Sequence, residues 1–324
     1  MDPIDHTPAS ALMSPPRPAP ARTPLKRNRS GDGRRKLVDR VAQWVLFSAA
    51  AFCIVITVGV VGTLLVESIG FFRHVSLVEF LTGTEWTPLF DNPKFGIMPL
   101  IAGTVTVTAV ALCVSIPVGT ISAMWLSEYA PPKAREALKP MLEMLSAVPT
   151  VVFGYFALLT VTPFLQKFMP DLPGFNMLGP GIVIGLMTVP YVASLGEDAM
   201  RAVPMALREG AYAMGATRLQ VAWRVVFPAA LSGISAAYVL TFSRALGETM
   251  VVAVAAGMQP NLTFDPREPA ATITAYIVQV SLGDLPHASI GYQSIFAAGM
   301  VLLLMTLVFN IAGHFLRKRF REVY

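Results

Sequence analysis

Ionisable side chains are scarce in this sequence: Lys, Arg, Asp and Glu supply 14% of its 324 residues, and long stretches contain none. Such runs extend over Val41–Val66, Phe95–Ser127, Met144–Gln166, Leu172–Gly196 and Ala288–Leu316. Each can supply the ~20 helical residues that cross a ~30 Å hydrocarbon layer. A sixth apolar run, from Val225 to about Met258, is interrupted only by Arg244 and Glu248. With 54% hydrophobic residues and a mean hydropathy of +0.58, a soluble domain of this length is excluded. The two cysteines, Cys53 and Cys113, fall in different runs without metal-ligand company, which excludes a disulfide framework. No G-x-x-x-x-G-K-[ST] phosphate loop occurs, so the chain is not expected to hydrolyse ATP or act as an enzyme.

The basic residues that are present are unevenly placed. Nine precede the first run, three lie between the second and third, four between the fourth and fifth, and four follow the sixth, against two, one and one in the alternate connections. The positive-inside rule then puts both termini in the cytoplasm of an all-α polytopic membrane protein with six transmembrane helices. The pI near 9.3 follows from this topology and argues for no nucleic-acid partner. Residues 1–40, rich in Pro, Ala, Arg and Ser without apolar periodicity, read as a disordered basic cytoplasmic tail. Residues 41–324 read as the transmembrane domain. Its fifth span should run unbroken from Pro228 to about Met258, and Pro266 to Leu282, with helical periodicity in Ile273, Tyr276, Ile277 and Val280, should lie along the outer surface.

One polar interruption stands out, the elbow at 204–228. Pro204 suits a helix start, and no breaker follows until Gly215, which fits the left-handed position that ends a helix. Thr217 with Gln220 three residues on is a capping-box pattern that starts a second helix through Trp223 and Arg224. The spacing Glu209-x-Ala211-x3-Gly215-x9-Val225-x-Phe227-Pro228 resembles the E-A-A-x3-G-x9-I-x-L-P motif of ABC importer permeases with every interval kept. In that family the elbow couples the permease to a cytoplasmic ATPase, so the resemblance assigns Glu209, Ala211, Gly215 and Pro228 to ATPase coupling.

Within the sixth run, an arginine at bilayer depth costs at least ~2.5 kcal/mol and needs a partner and a protein or aqueous surrounding. Glu248, four residues after Arg244, is that partner, and a guanidinium fork matches phosphate or carboxylate oxygens. The pair therefore reads either as a substrate-path site or as a structural ion pair. Thr104 and Thr108 share a helical face that suits the wall of a polar path, although such hydroxyls in membrane helices also bond back to their own backbone. Glu197 and Asp198 read as solvated boundary charges.

Ser243-Arg244-Ala245-Leu246-Gly247-Glu248-Thr249-Met250, together with Ser146-Ala147-Val148-Pro149-Thr150, Phe153-Gly154 and Glu128-Tyr129-Ala130, resembles the phosphate-specific ABC importer permeases, PstC-type in preference to the PstA-type sister. The resemblance implies the type I importer permease fold in a bacterial inner membrane. It also implies a second homologous permease subunit, a dimeric ATPase that holds the ATP-Mg, an external phosphate-binding protein, and no cofactor in this chain. Permeases for molybdate or sulfate share that fold, and an ion-coupled secondary transporter would share an Arg–Glu pair but have no use for the elbow.

Overall fold

The computed structural model describes residues 32–88, 90, 92–283, 286 and 289–319. The chain divides into two units, Met1–Gly59 and Val60–Tyr324. Most of the segment expected to be a disordered tail lies outside the described residues. Its last part does not: α1 is helical over Asp32–Phe72 and so begins within the stretch placed in the tail. Trp44, Phe47, Phe52 and Ile54 on this helix are exposed, as befits side chains meant for hydrocarbon.

The regular structure of the rest of the described chain is helical, with one isolated antiparallel bridge between Trp86 and Phe95 and irregular connections such as 256–272. In order it runs α2 (Leu77–Thr82), α3 (Met98–Met124), α4 (Pro132–Ser146), α5 (Thr150–Phe156), α6 (Thr162–Gln166), α7 (Leu178–Arg201), α8 (Met205–Ala213), α9 (Arg218–Val221), α10 (Phe227–Ala229), α11 (Leu231–Leu246), α12 (Met250–Ala255), α13 (Ile273–Ser281) and α14 (Ile290–Arg319). Lys36–Phe72, Met98–Tyr129, Leu178–Arg201 and Ile290–Phe315 are each long and apolar enough to cross a membrane. Pro132–Ser146 with Thr150–Gln166, bent by 86°, and Arg218–Ala229 with Leu231–Leu246, bent by 73°, qualify only as pairs. The six expected spans are met if each bent pair is counted once.

Proline shapes several of these helices. Wide π turns occupy Trp125–Tyr129, Ala157–Val161 and Ala222–Val226. Each is closed by an N–H reaching five residues back, from Ala130 to Trp125, Thr162 to Ala157 and Phe227 to Ala222. In all three the donor immediately precedes a proline: Pro131, Pro163 or Pro228. A proline ring crowds the carbonyl four residues back and supplies no N–H, and widening the turn relieves that conflict.

Side-chain size decides how α3 and α7 meet. Gly181 and Gly185 lie one helical turn apart on α7, and a Cβ on Gly185 would stand 2.8 Å from the Ala111 carbonyl oxygen and 2.7 Å from Val114 Cβ. A Cβ on Gly181 would press on Val110 at 2.6 Å. This small-xxx-small stripe lets the two backbones approach closely, the usual basis of helix association where the hydrophobic effect offers little.

Two expectations are corrected here. The fifth span is broken: α11 stops at Leu246, Gly247 caps it, and α12 restarts at Met250. At the break the Thr274 hydroxyl donates to the Glu248 carbonyl at 2.6 Å, so a side chain from another helix satisfies a backbone group at the interruption. The helix α13 is also no surface element. Ile273, Thr274, Ala275, Tyr276 and Val280 are buried, and α13 packs against α14, α12 and α3. It closes an aromatic cluster of Phe71, Phe80, Trp86 and Phe95, with the Trp86 and Tyr276 rings edge to face at 5.0 Å.

Candidate functional site

The elbow forms as its residues dictate. α8 ends at Ala213, and Gly215 takes φ +82° with nothing within 4 Å of where a Cβ would stand. The Gly215 N–H donates to the Tyr212 carbonyl at 2.9 Å and the Ala216 N–H to the Ala211 carbonyl at 3.1 Å. These two bonds are the Schellman closure of a helix end, which the left-handed residue makes reachable. At Thr217 the capping box is complete: its N–H donates to Gln220 Oε1 at 2.8 Å, and the Gln220 N–H donates back to Thr217 Oγ1 at 3.4 Å.

Around this turn the four residues assigned to coupling are not equivalent. Glu209, Gly215 and Pro228 are exposed, whereas Ala211 packs against the buried cluster of Met200, Val203, Val221, Val226 and Ile234. Met205, Tyr212, Met214, Leu219 and Trp223 are exposed apolar side chains on the elbow, an unusual density for a segment this polar.

Charged groups near the elbow are tied together more tightly than expected. Glu197 is fully buried, not solvated: Arg135 Nε lies 2.7 Å from its Oε1 and Lys139 Nζ 2.9 Å from its Oε2. Lys139 also bridges the exposed Asp198 at 2.5 Å, so α4 is clamped to the end of α7. Arg201 Nε stands 3.8 Å from Glu197 Oε1 as well, so the buried carboxylate is compensated by more than one cation. Arg208 of α8 is buried as well and pairs with Glu128 at 3.1 Å. Arg208 is one of the four basic residues between the fourth and fifth apolar runs. Its carboxylate partner comes from a helix 80 positions earlier in the chain, and no local pattern announces it.

The charged pair is present as expected. Arg244 Nη1 donates to Glu248 Oε2 at 3.0 Å, with 2% of the Glu248 side chain exposed and 37% of Arg244. The carboxylate is thus withdrawn from the surface, while part of the Arg244 side chain remains exposed on this chain. Thr104 and Thr108 both bond back to their own helix, donating to the Leu100 and Thr104 carbonyls at 2.7 Å each. Thr104 Oγ1 in addition accepts the Ile273 N–H at 3.0 Å, and Thr272 caps α13 by accepting from the Ala275 N–H. The start of α13 therefore links Thr104 to the backbone at Glu248, while the Thr108 hydroxyl stays within α3. Thr272 and Thr274 were not singled out in the sequence, because their roles depend on which helices meet. Between α12 and α13, hydrogen bonds from the Arg267 side chain and backbone hold the Asp265 carboxyl at about 2, so that exposed pair keeps its charge at neutral pH. Among the described residues no group of His, Cys, Asp and Glu is placed to hold a metal ion.

Comparison with known proteins places this geometry in context. The family of binding-protein-dependent transport system inner membrane components matches residues 115–322. The probable ABC transporter permease protein YqgH of Bacillus subtilis is 33% identical over 296 residues, covering 91% of this chain and 94% of that one. The phosphate transport system permease protein PstC 1 of Mycobacterium tuberculosis is 32% identical over 292 residues, 78% of this chain and 85% of that one. Among solved structures, a chain of a bacterial ABC transporter involved in import of the acidic polysaccharide alginate superimposes with a TM-score of 0.61 at 17% identity, over 89% of this chain and all of that chain (100%). A chain of the inward-facing MetNI methionine ABC transporter gives a TM-score of 0.51 at 18% identity, over 70% of this chain and 95% of that one. At these identities the structural matches establish the fold.

Proposed function

Since the chain belongs to the family of binding-protein-dependent transport system inner membrane components, and is a non-catalytic transmembrane permease subunit of an ABC importer, we propose that its cargo is inorganic phosphate. The observation that carries this reading is the Arg244–Glu248 pair at the broken fifth span. A buried carboxylate holds the guanidinium through Nη1, and a charged side chain left 37% exposed needs water or a second subunit against it, since hydrocarbon is a costly surrounding. A guanidinium fork so presented suits a tetrahedral oxyanion. The similarity to a PstC phosphate permease at 32% identity supports the same substrate.

In this reading the second surface against Arg244 is a homologous permease subunit. The elbow faces the cytoplasm, and its exposed apolar side chains seat in an ATPase dimer that binds the ATP-Mg. An external phosphate-binding protein delivers cargo to the opposite face. ATP binding moves the elbow, the movement enters α11 through α9 and α10, and Arg244 passes between outward and inward exposure. Binding at Arg244 stays weak, because a path that held phosphate tightly would not release it; affinity resides in the binding protein. Both termini are cytoplasmic, and the basic tail up to residue 40 helps hold that orientation.

Competition in lipid vesicles containing the assembled importer tests the cargo. Uptake of radiolabelled phosphate should be suppressed by unlabelled phosphate and arsenate and left nearly unchanged by equal concentrations of molybdate or sulfate. Suppression by molybdate or sulfate comparable to that by phosphate would assign the chain to a different oxyanion.

A further inference from the structure

Arg208 belongs to the elbow but turns away from its exposed side. Its Nη1 donates to the Val203 carbonyl at 2.6 Å, and its Nη2 donates to the Met200 carbonyl at 2.8 Å and to Glu128 Oε1 at 3.1 Å. Met200 and Val203 lie at and just beyond the last turn of α7, where carbonyls have lost their helical partners and a cation is favoured by the helix dipole. Glu128 lies in the π turn that ends α3 and is itself held by the Ser127 hydroxyl at 2.9 Å. One guanidinium therefore joins three elements, and both it and its carboxylate partner are almost withdrawn from solvent.

This joint matters because of what surrounds it. α8 packs chiefly against α9 and the π turn at Ala222–Val226, that is, against the other half of its own elbow. α3 and α7, by contrast, are locked to each other along the Gly181–Gly185 stripe. A force applied to the elbow thus has covalent routes into α7, through residues 202–204, and into α11, through α9 and α10, while Arg208 stiffens the short link to α7 and adds a side-chain route into the end of α3.

We infer that Arg208 is a positioning residue that makes the α3–α7 block travel with the elbow, so that this block and α11 move in one step. The inference rests on the reading of the elbow as the ATPase docking element. Lysine at this position keeps the charge but, with a single ammonium, does not reproduce the planar fork that reaches two carbonyls and a carboxylate at once.

The test uses the assembled importer in lipid vesicles with this chain as wild type, Arg208→Lys, Arg208→Met or Glu128→Gln. Phosphate imported per ATP hydrolysed should fall about tenfold or more in Arg208→Met and substantially in Arg208→Lys, while the ATPase remains bound. Glu128→Gln, which keeps an acceptor, should fall least. Spin labels at the exposed positions Ile121 on α3 and Ala206 on α8 provide a readout independent of cargo. Their separation should stay constant on ATP binding in the wild type and shift or broaden in Arg208→Met, and Arg208→Lys covers the case in which Arg208→Met fails to assemble. A wild-type import ratio in Arg208→Met, or a label separation that changes on ATP binding in the wild type, would overturn the inference. Import of another oxyanion with the label results as expected would overturn the choice of phosphate alone.

Discussion

Replacing Arg244 with glutamine should lower ATP-driven phosphate import about a hundredfold, the scale of truncating one partner of a buried hydrogen-bonded charge pair. Two effects combine in that variant, since Glu248 is left buried without its cation and the oxyanion loses its fork. The double variant Arg244→Gln with Glu248→Gln separates them. It removes the stranded carboxylate and replaces the ion pair with two neutral amides, so the amount of protein in the membrane should recover. Import should not. Uptake restored in the double variant would make the pair a structural clasp between helix segments and remove Arg244 from the path. Measuring membrane abundance by immunoblot beside uptake by radiolabelled phosphate distinguishes the two.

The second large effect is expected at Gly215. Nothing lies near enough to clash with a side chain there, so the cost of substitution comes from the backbone alone, at φ +82°. A β-branched residue is poorly tolerated in that region, and the penalty of about 1–2 kcal/mol for a left-handed residue is better met by opening the turn. Gly215→Val should release the Ala216 and Tyr212 closures, reorient α9 relative to α8, and abolish most co-purification of the ATPase. Gly215→Asn, which adopts the left-handed conformation more readily, should retain most of it. Equal loss in both variants would mean that the position is sensitive to bulk in the docked complex and not to conformation. Equal retention would contradict the docking role of the elbow.

How far these features were legible depended on whether their causes are local. The elbow could be read almost residue by residue, because a capping box and a left-handed glycine are decided by groups within a few positions of one another. The helix start differs by one residue, with Pro204 preceding α8. The Arg244–Glu248 contact was legible for the same reason, its two residues lying four positions apart. Glu197 was misjudged because Arg135 and Lys139 approach it from another helix, and no periodicity along α7 distinguishes a buried carboxylate at its end from a solvated one. The break at Gly247–Thr249 coincides with the charged interruption of the run, but a charged pair four residues apart is equally compatible with a continuous helix. What sustains the break is the hydroxyl of Thr274, 26 positions further along the chain. Thr104 shows both sides of the matter. Its hydroxyl bonds back to its own helix, as membrane threonines commonly do, and it also anchors α13, which only the tertiary arrangement reveals.

The claim on which the rest depends is that motion generated at the elbow by a nucleotide-binding partner is what carries the oxyanion past Arg244. The direct measurement is phosphate uptake by sealed vesicles containing the assembled importer and its binding protein, with ATP, a non-hydrolysable analogue or no nucleotide on the side of the elbow, each with and without an imposed proton gradient. Sustained uptake should occur with hydrolysable ATP alone and be indifferent to the gradient. Sustained uptake without nucleotide, driven by the gradient, would contradict the account.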